Sequence, residues 1–183
     1  AHYHPGKDIF IGLDVAANSF YDEKERLYNF KSQYKKRDRE KMVEHFKALT
    51  KKYPLISIED PLIETDLEGW REITQTLGSR IQIVGDDFFV TNPDKIIAAA
   101  KSGMANSVII KPNQIGTVSE VFEAIRAAQN NSYITIVSHR SGDTEDPFIA
   151  DLAYGTHAKQ IKSGSLSRSE RICKYNQLLR IEE

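Results

Sequence analysis

Six ionisable residues, Asp14, Glu59, Asp86, Lys111, His139 and Lys162, stand at or just past the ends of short apolar runs. The first three offer only oxygen ligands, with no Cys or His beside them, and hard oxygen donors with room for water suit Mg²⁺ far better than a soft metal. The later three are cationic or can become so. One of them opens a loop, Ser138-His139-Arg140-Ser141-Gly142, that puts an imidazole, a guanidinium and a hydroxyl directly after an apolar run. Carboxylates together with cations suit an anionic substrate bridged by metal. Each residue also has a plainer reading. Asp60 and Asp87, which follow Glu59 and Asp86, read equally as helix caps; a lone Lys at a strand end ordinarily snorkels; a lone loop His is ordinarily just hydrogen-bonded. Only the constellation, and no single member, points to chemistry.

Elements must bring such residues together. Apolar runs of four to six residues alternate with longer amphipathic stretches, the pattern of repeated strand-helix units and a parallel sheet. Strands are expected at Ile9 to Leu13, Leu55 to Ile58, Ile81 to Val84, Ser107 to Ile110, Tyr133 to Val137 and around Gln160-Ile161. Helices are expected over Arg39 to Lys51, Asp66 to Leu77, Pro93 to Ser102, Ser119 to Gln129, Pro147 to Thr156 and Ser167 to Ile181. In a barrel of parallel strands the C-terminal ends share one mouth, which is where six ionisable strand ends would be useful. Asn92-Pro93 and Asp146-Pro147 each place an N-cap residue before a proline at the first helical position, and Gly103 closes the helix that Asn92 begins. Ser19 to Lys31 reads as a β-hairpin inserted after the first strand, and no low-complexity linker marks an internal boundary.

The bulk numbers set limits. With 183 residues and 40% hydrophobic content the chain can bury a core and fits one domain or a large part of a bigger one. A net charge of -1 gives no basic field for nucleic acid or an anionic membrane. The run Lys35-Lys36-Arg37, followed by Asp38 and Glu40, reads as a solvated helix entry. The single cysteine, Cys173, cannot form an internal disulfide; it suits a reducing compartment and is expected in the core. No apolar run reaches the roughly 20 residues of a membrane span, and no secretory segment opens the chain, so a cytoplasmic protein is expected.

Longer blocks carry a resemblance. "IGLDVAANSFY", "SIEDPL" at Ser57 to Leu62, "VGDDFFVTNP" at Val84 to Pro93, "IIKPNQIGT" at Ile109 to Thr117, "SHRSGDTED" at Ser138 to Asp146 and "IKSGSLSRSER..KYNQLLRIEE" at Ile161 to Glu183 resemble, in the same order, the enolases (phosphopyruvate hydratases). The resemblance implies an α/β fold of the (β/α) TIM-barrel type, here an incomplete barrel of about six βα units with a hairpin insertion. It implies Mg²⁺ as cofactor, two ions per active site in the family, with Asp14, Glu59 and Asp86 holding the tighter one. Lys111 becomes the general base that takes the C2 proton of 2-phosphoglycerate. Arg140 and Ser141 become ligands of the substrate phosphate, where a planar guanidinium fork matches phosphate oxygens better than an ammonium. Lys162 meets the substrate carboxylate, and His139 is a further substrate contact. Removing a proton next to a carboxylate piles negative charge on one group, and stored positive charge must meet it; a Lys base with Mg²⁺ is a pairing known for that superfamily.

The same resemblance sets expectations about what lies outside residues 1–183. The chain reads as the C-terminal part of the catalytic barrel domain, without the N-terminal domain, the first barrel strands and the family's acid-side glutamates. The isolated chain is therefore expected to be inactive or nearly so, and its open sheet edges to favour self-association, the family being dimeric or higher. Pro112, directly after the base, is a local departure. Two other readings stand beside the lyase: another superfamily enzyme that abstracts a proton next to a carboxylate, and a non-catalytic Mg²⁺-binding or interaction module, including a surface-displayed or secreted form.

Overall fold

Two compact units form in the computed structural model, which describes residues 2–183: one comprises residues up to Phe88 with Ala99–Asn106, the other Phe89–Ala98 with Ser107–Glu183. In the first unit β1 (Ile11–Asp14) leads through a single 3₁₀ turn at Ala17–Phe20 into β2 (Tyr21–Asp22), β3 (Leu27–Phe30) and β4 (Lys35–Arg37). Next come α1 (Arg39–Lys52), β5 (Leu55–Glu59), α2 (Leu67–Leu77) and β6 (Gln82–Gly85). Strands β1, β5 and β6 pair in parallel, with Asp14 opposite Glu59 and Glu59 opposite Val84. Each strand ends one residue later than the apolar run alone suggested. Asp14 and Glu59 are thereby the last residues of their strands, and Asp86 is the first residue past β6.

The expected hairpin is present as β2 and β3, and it has a third strand. Lys35, Lys36 and Arg37 are not a helix entry; they pair antiparallel with Phe30, Asn29 and Tyr28 as β4. The ladder wins because its side chains find partners there: the Arg37 guanidinium lies 3.9 Å over the Phe30 ring, and Lys36 pairs with Glu25. Helix α1 begins after this strand, with Asp38 accepting from the Lys41 amide at 2.9 Å. Trp70, fully buried on α2, stacks on Phe88 with ring centroids 4.2 Å apart and donates its indole N–H to the Ile63 carbonyl. Ile58, Ile73, Leu77 and Ile83 complete this core.

Helix α3 (Pro93–Lys101) opens as expected: Asn92 accepts from the Asp94 and Lys95 amides at 2.9 and 3.1 Å. Gly103, at φ +67°, closes it, with the Met104 amide donating back to Ala99 O. The second unit continues with β7 (Ser107–Ile110), α4 (Pro112–Ile115), α5 (Val118–Asn130), β8 (Ile134–Ser138), α6 (Phe148–Gly155), β9 (Gln160–Lys162) and α7 (Ser169–Glu182). Its strands are also parallel, with Ile110 opposite Val137 and Ser138 opposite Lys162. A capping box starts α5, formed by Thr117 and Glu120.

Three expectations need correction in this unit. Pro147 is the N-cap of α6 rather than its first residue, and Asp146 satisfies the Phe148 amide from one position further out, at 2.9 Å. The last helix begins at Ser169, two residues after the expected start. Cys173 is half-buried on α7 and not a core residue, its thiol facing the Glu170 carbonyl; the buried positions of that helix belong to Arg171 and Lys174.

Candidate active site

In the first unit the acidic residues are placed by strand register. Residues opposite each other in a parallel pair share a face, so Asp14 and Glu59 emerge side by side; Asp86, two residues beyond Glu59's partner Val84, continues the same alternation. Gly12 lies two residues before Asp14 and opposite Ser57, and a Cβ there would meet Ser57 Oγ at 2.8 Å. A glycine is thus what lets β1 approach β5 closely enough for this register. Glu59 and Asp86 are buried, at 6% and 8% exposure, while Asp14 is exposed.

Asp60 has a different job from the helix cap that the sequence allowed. At φ +42° it turns back, and its carboxylate accepts from the Asp86 and Asp87 amides, both at 2.9 Å. It is 5% exposed, and burial raises its pKa to about 6, against the two amide bonds, which lower it; nearby Asp86 and Asp87 add to the rise. Oxygen atoms of Asp60, Asp86 and Asp87 lie within 4.8 Å of one another, close enough to surround a cation. Both Asp60 oxygens already accept amide protons, however, so Asp60 acts chiefly by holding the end of β6 in place. Asn18, on the 3₁₀ turn, donates to Asp87 at 3.4 Å and accepts from the Glu64 amide.

The second unit carries the cations. Lys111 follows β7 and immediately precedes α4, with Pro112 at the first helical position, where no amide donor is needed; the departure at Pro112 therefore fits its place. The Lys111 amide donates to Thr91 Oγ1 at 3.0 Å, and that hydroxyl donates to Gln114 Oε1 at 2.8 Å. Thr91 is fully buried, and both it and Val90 sit at positive φ, +58° and +46°. Two successive β-branched residues in that region are strained, and the conformation aims a buried hydroxyl at the backbone of Lys111.

His139, Arg140 and Ser141 open the loop after β8, and Lys162 ends β9 beside them, its carbonyl accepting the His139 amide at 2.9 Å. Arg140 and Ser141 are exposed. Arg140 Nη1 donates to Asn113 Oδ1 at 2.8 Å. Burial, then the Arg171 guanidinium, and more weakly Lys162 and Lys174, lower the His139 pKa against the pull of Asp143. The structure thus brings His139, Arg140, Ser141 and Lys162 together in one unit, and places Asp14, Glu59 and Asp86 on neighbouring strand ends of the other. Sequence reasoning missed Thr91, Asn113, Asp143, Arg171 and Lys174. Only α7 carried a usable signal: positions 171 and 174 fall on one helical face, and both are basic.

The sequence has relatives. A sequence model of the family described as "Enolase, C-terminal TIM barrel domain" matches residues 1–183. The chain is also similar to a protein named enolase from Anaplasma phagocytophilum (strain HZ), 55% identical over 183 residues, which is all of this chain and 42% of that protein. The chain thus spans less than half the length of that relative. The parallel strand-helix repeats, six among the described residues, are the repeating unit of such a barrel domain. By sequence over its whole length, and by an α/β fold of the expected TIM-barrel class, the chain belongs to the enolase C-terminal barrel family.

Proposed function

We propose that this chain is the catalytic barrel portion of an enzyme that reversibly dehydrates 2-phospho-D-glycerate to phosphoenolpyruvate. The observation that supports it best is the 55% identity to an enolase across every residue of the chain. Lys111, once it has shed its own proton, takes the C2 proton of the substrate. Arg140 and Ser141 bind the phosphate, Lys162 the carboxylate, and His139 donates a hydrogen bond to the substrate. Asp14, Glu59 and Asp86 would hold Mg²⁺, and the all-carboxylate donor set of the first unit fits a hard divalent cation. When bound, the metal would supply the positive charge that an increasingly negative carboxylate needs. In this reading the protein is cytoplasmic and assembles as a homo-oligomer; among the described residues no helix is long and apolar enough to cross a membrane.

Turnover is followed by the ultraviolet absorbance of phosphoenolpyruvate in a full-length protein containing these residues. Lys111→Ala is expected to lower kcat by at least about 10²-fold, the usual scale of a lost general base, with Mg²⁺ affinity nearly unchanged by calorimetry. A variant that keeps most of its turnover would remove Lys111 from the base role.

A further inference from the structure

We propose that Arg171 and Lys174 are positioning residues, fixing the conformation of segment 139–144 and the tautomer of His139. The functional part of this inference rests on reading Arg140 and Ser141 as phosphate ligands. Arg171 is 8% exposed and Lys174 fully buried, on the face of α7 where apolar residues would ordinarily sit. Burying two cations is unfavourable unless their donors are filled, and here one short segment fills most of them.

Arg171 Nη1 donates to Arg140 O at 2.8 Å and Nη2 to Ser141 O at 3.0 Å, and Nη1 also meets Nδ1 of His139. Lys174 Nζ donates to Asp143 Oδ1 at 2.9 Å, to Glu170 O at 2.7 Å and to Thr144 O. Asp143 in turn accepts from the Arg140 amide at 3.1 Å and the Thr144 amide at 2.7 Å. The backbone of the segment is thus turned toward α7, while the side chains of Arg140 and Ser141 stay exposed.

A guanidinium can only donate, so Nδ1 of His139 must accept. The ring is then neutral with its proton on Nε2, ready to donate to a ligand. Gly164 makes the room for this contact. At φ +76° it would place a Cβ 3.0 Å from Arg171 Cδ and 3.2 Å from His139 Cε1. The fork of an arginine reaches two carbonyls and the ring nitrogen at once; a lysine at 171 keeps the charge and loses that reach.

The test uses the intact 183-residue chain, with ring ¹⁵N NMR of His139 and titration with inorganic phosphate. In the unsubstituted protein the ring is expected as the Nε2–H tautomer across neutral pH. In Arg171→Lys the ring is expected to mix tautomers and to titrate closer to its ordinary value of 6.5. Phosphate affinity is expected to fall about tenfold or more in Arg171→Lys and Lys174→Met, the scale of lost outer-shell support. Near-ultraviolet circular dichroism identifies a variant that fails to fold. In that event Gly164→Ala, which keeps both cations and crowds Arg171 against His139, is expected to shift the same ring signals. A folded Arg171→Lys with unchanged ring signals and unchanged phosphate affinity would overturn the positioning role. Ring signals that respond to Arg171→Lys in a chain that binds no phosphate would support the positioning role and overturn the phosphate reading.

Discussion

At the residue scale, similar side chains do different work according to what surrounds them. Asp60 and Asp86 are both buried aspartates at strand ends, yet Asp60 spends its oxygens on two backbone amides. Asp60→Asn presents an NH₂ group to one of those amides and leaves a buried donor unmatched. A loss of about 1–3 kcal/mol is expected from urea unfolding midpoints. Asp143 gives a pH dependence with a definite sign. Burial would raise its pKa, but the hydrogen bond from Lys174 and the Arg140 and Thr144 amides outweigh burial and hold it below the ordinary 3.8. A carboxylate depressed on folding stabilises the fold above its unfolded pKa, and that contribution is lost as the pH falls through the folded value. Acid unfolding of the second unit should therefore begin below about pH 4, where unfolded Asp binds protons first. Lys174→Met removes the partner, and its acid transition, followed by circular dichroism, is expected at higher pH.

At the element scale, the close approach of β1 to β5 depends on a glycine. Gly12→Ala puts a methyl 2.8 Å from Ser57 Oγ, so the strands must separate or Ser57 must move. Overpacking of this kind costs about 1–3 kcal/mol, and the register that pairs Asp14 with Glu59 would suffer with it. The double variant Gly12→Ala, Ser57→Ala removes the oxygen and is expected to recover much of the loss; no recovery in thermal melts would mean that the cost lies elsewhere. Strand ends were read from sequence to within one residue, because an apolar run gives way to a charged residue within one or two positions there. The third strand of the insertion was not, since Lys35-Lys36-Arg37 is charged throughout and becomes a strand only through pairing with β3 and the ring of Phe30.

At the scale of the whole molecule, the chain spans 42% of the length of the Anaplasma phagocytophilum enolase to which it is similar. On the proposed function, the 183 residues alone are expected to form phosphoenolpyruvate far more slowly than a protein that also carries the rest of that length. Comparable rates would mean that the chemistry needs only the groups present here. The sequence by itself determined the family, through long motif blocks, and also the order of the six parallel strands with the helix that follows each and which ionisable groups stand at their ends, because hydrophobic periodicity and capping residues are local signals. Tertiary structure decided the rest: that Asp60 braces β6, that a strained Thr91 holds the backbone of Lys111, and that two buried cations of α7 shape the loop of His139, Arg140 and Ser141. Each of these is a hydrogen bond between residues 20 to 32 positions apart in the chain, a distance over which no local pattern carries information.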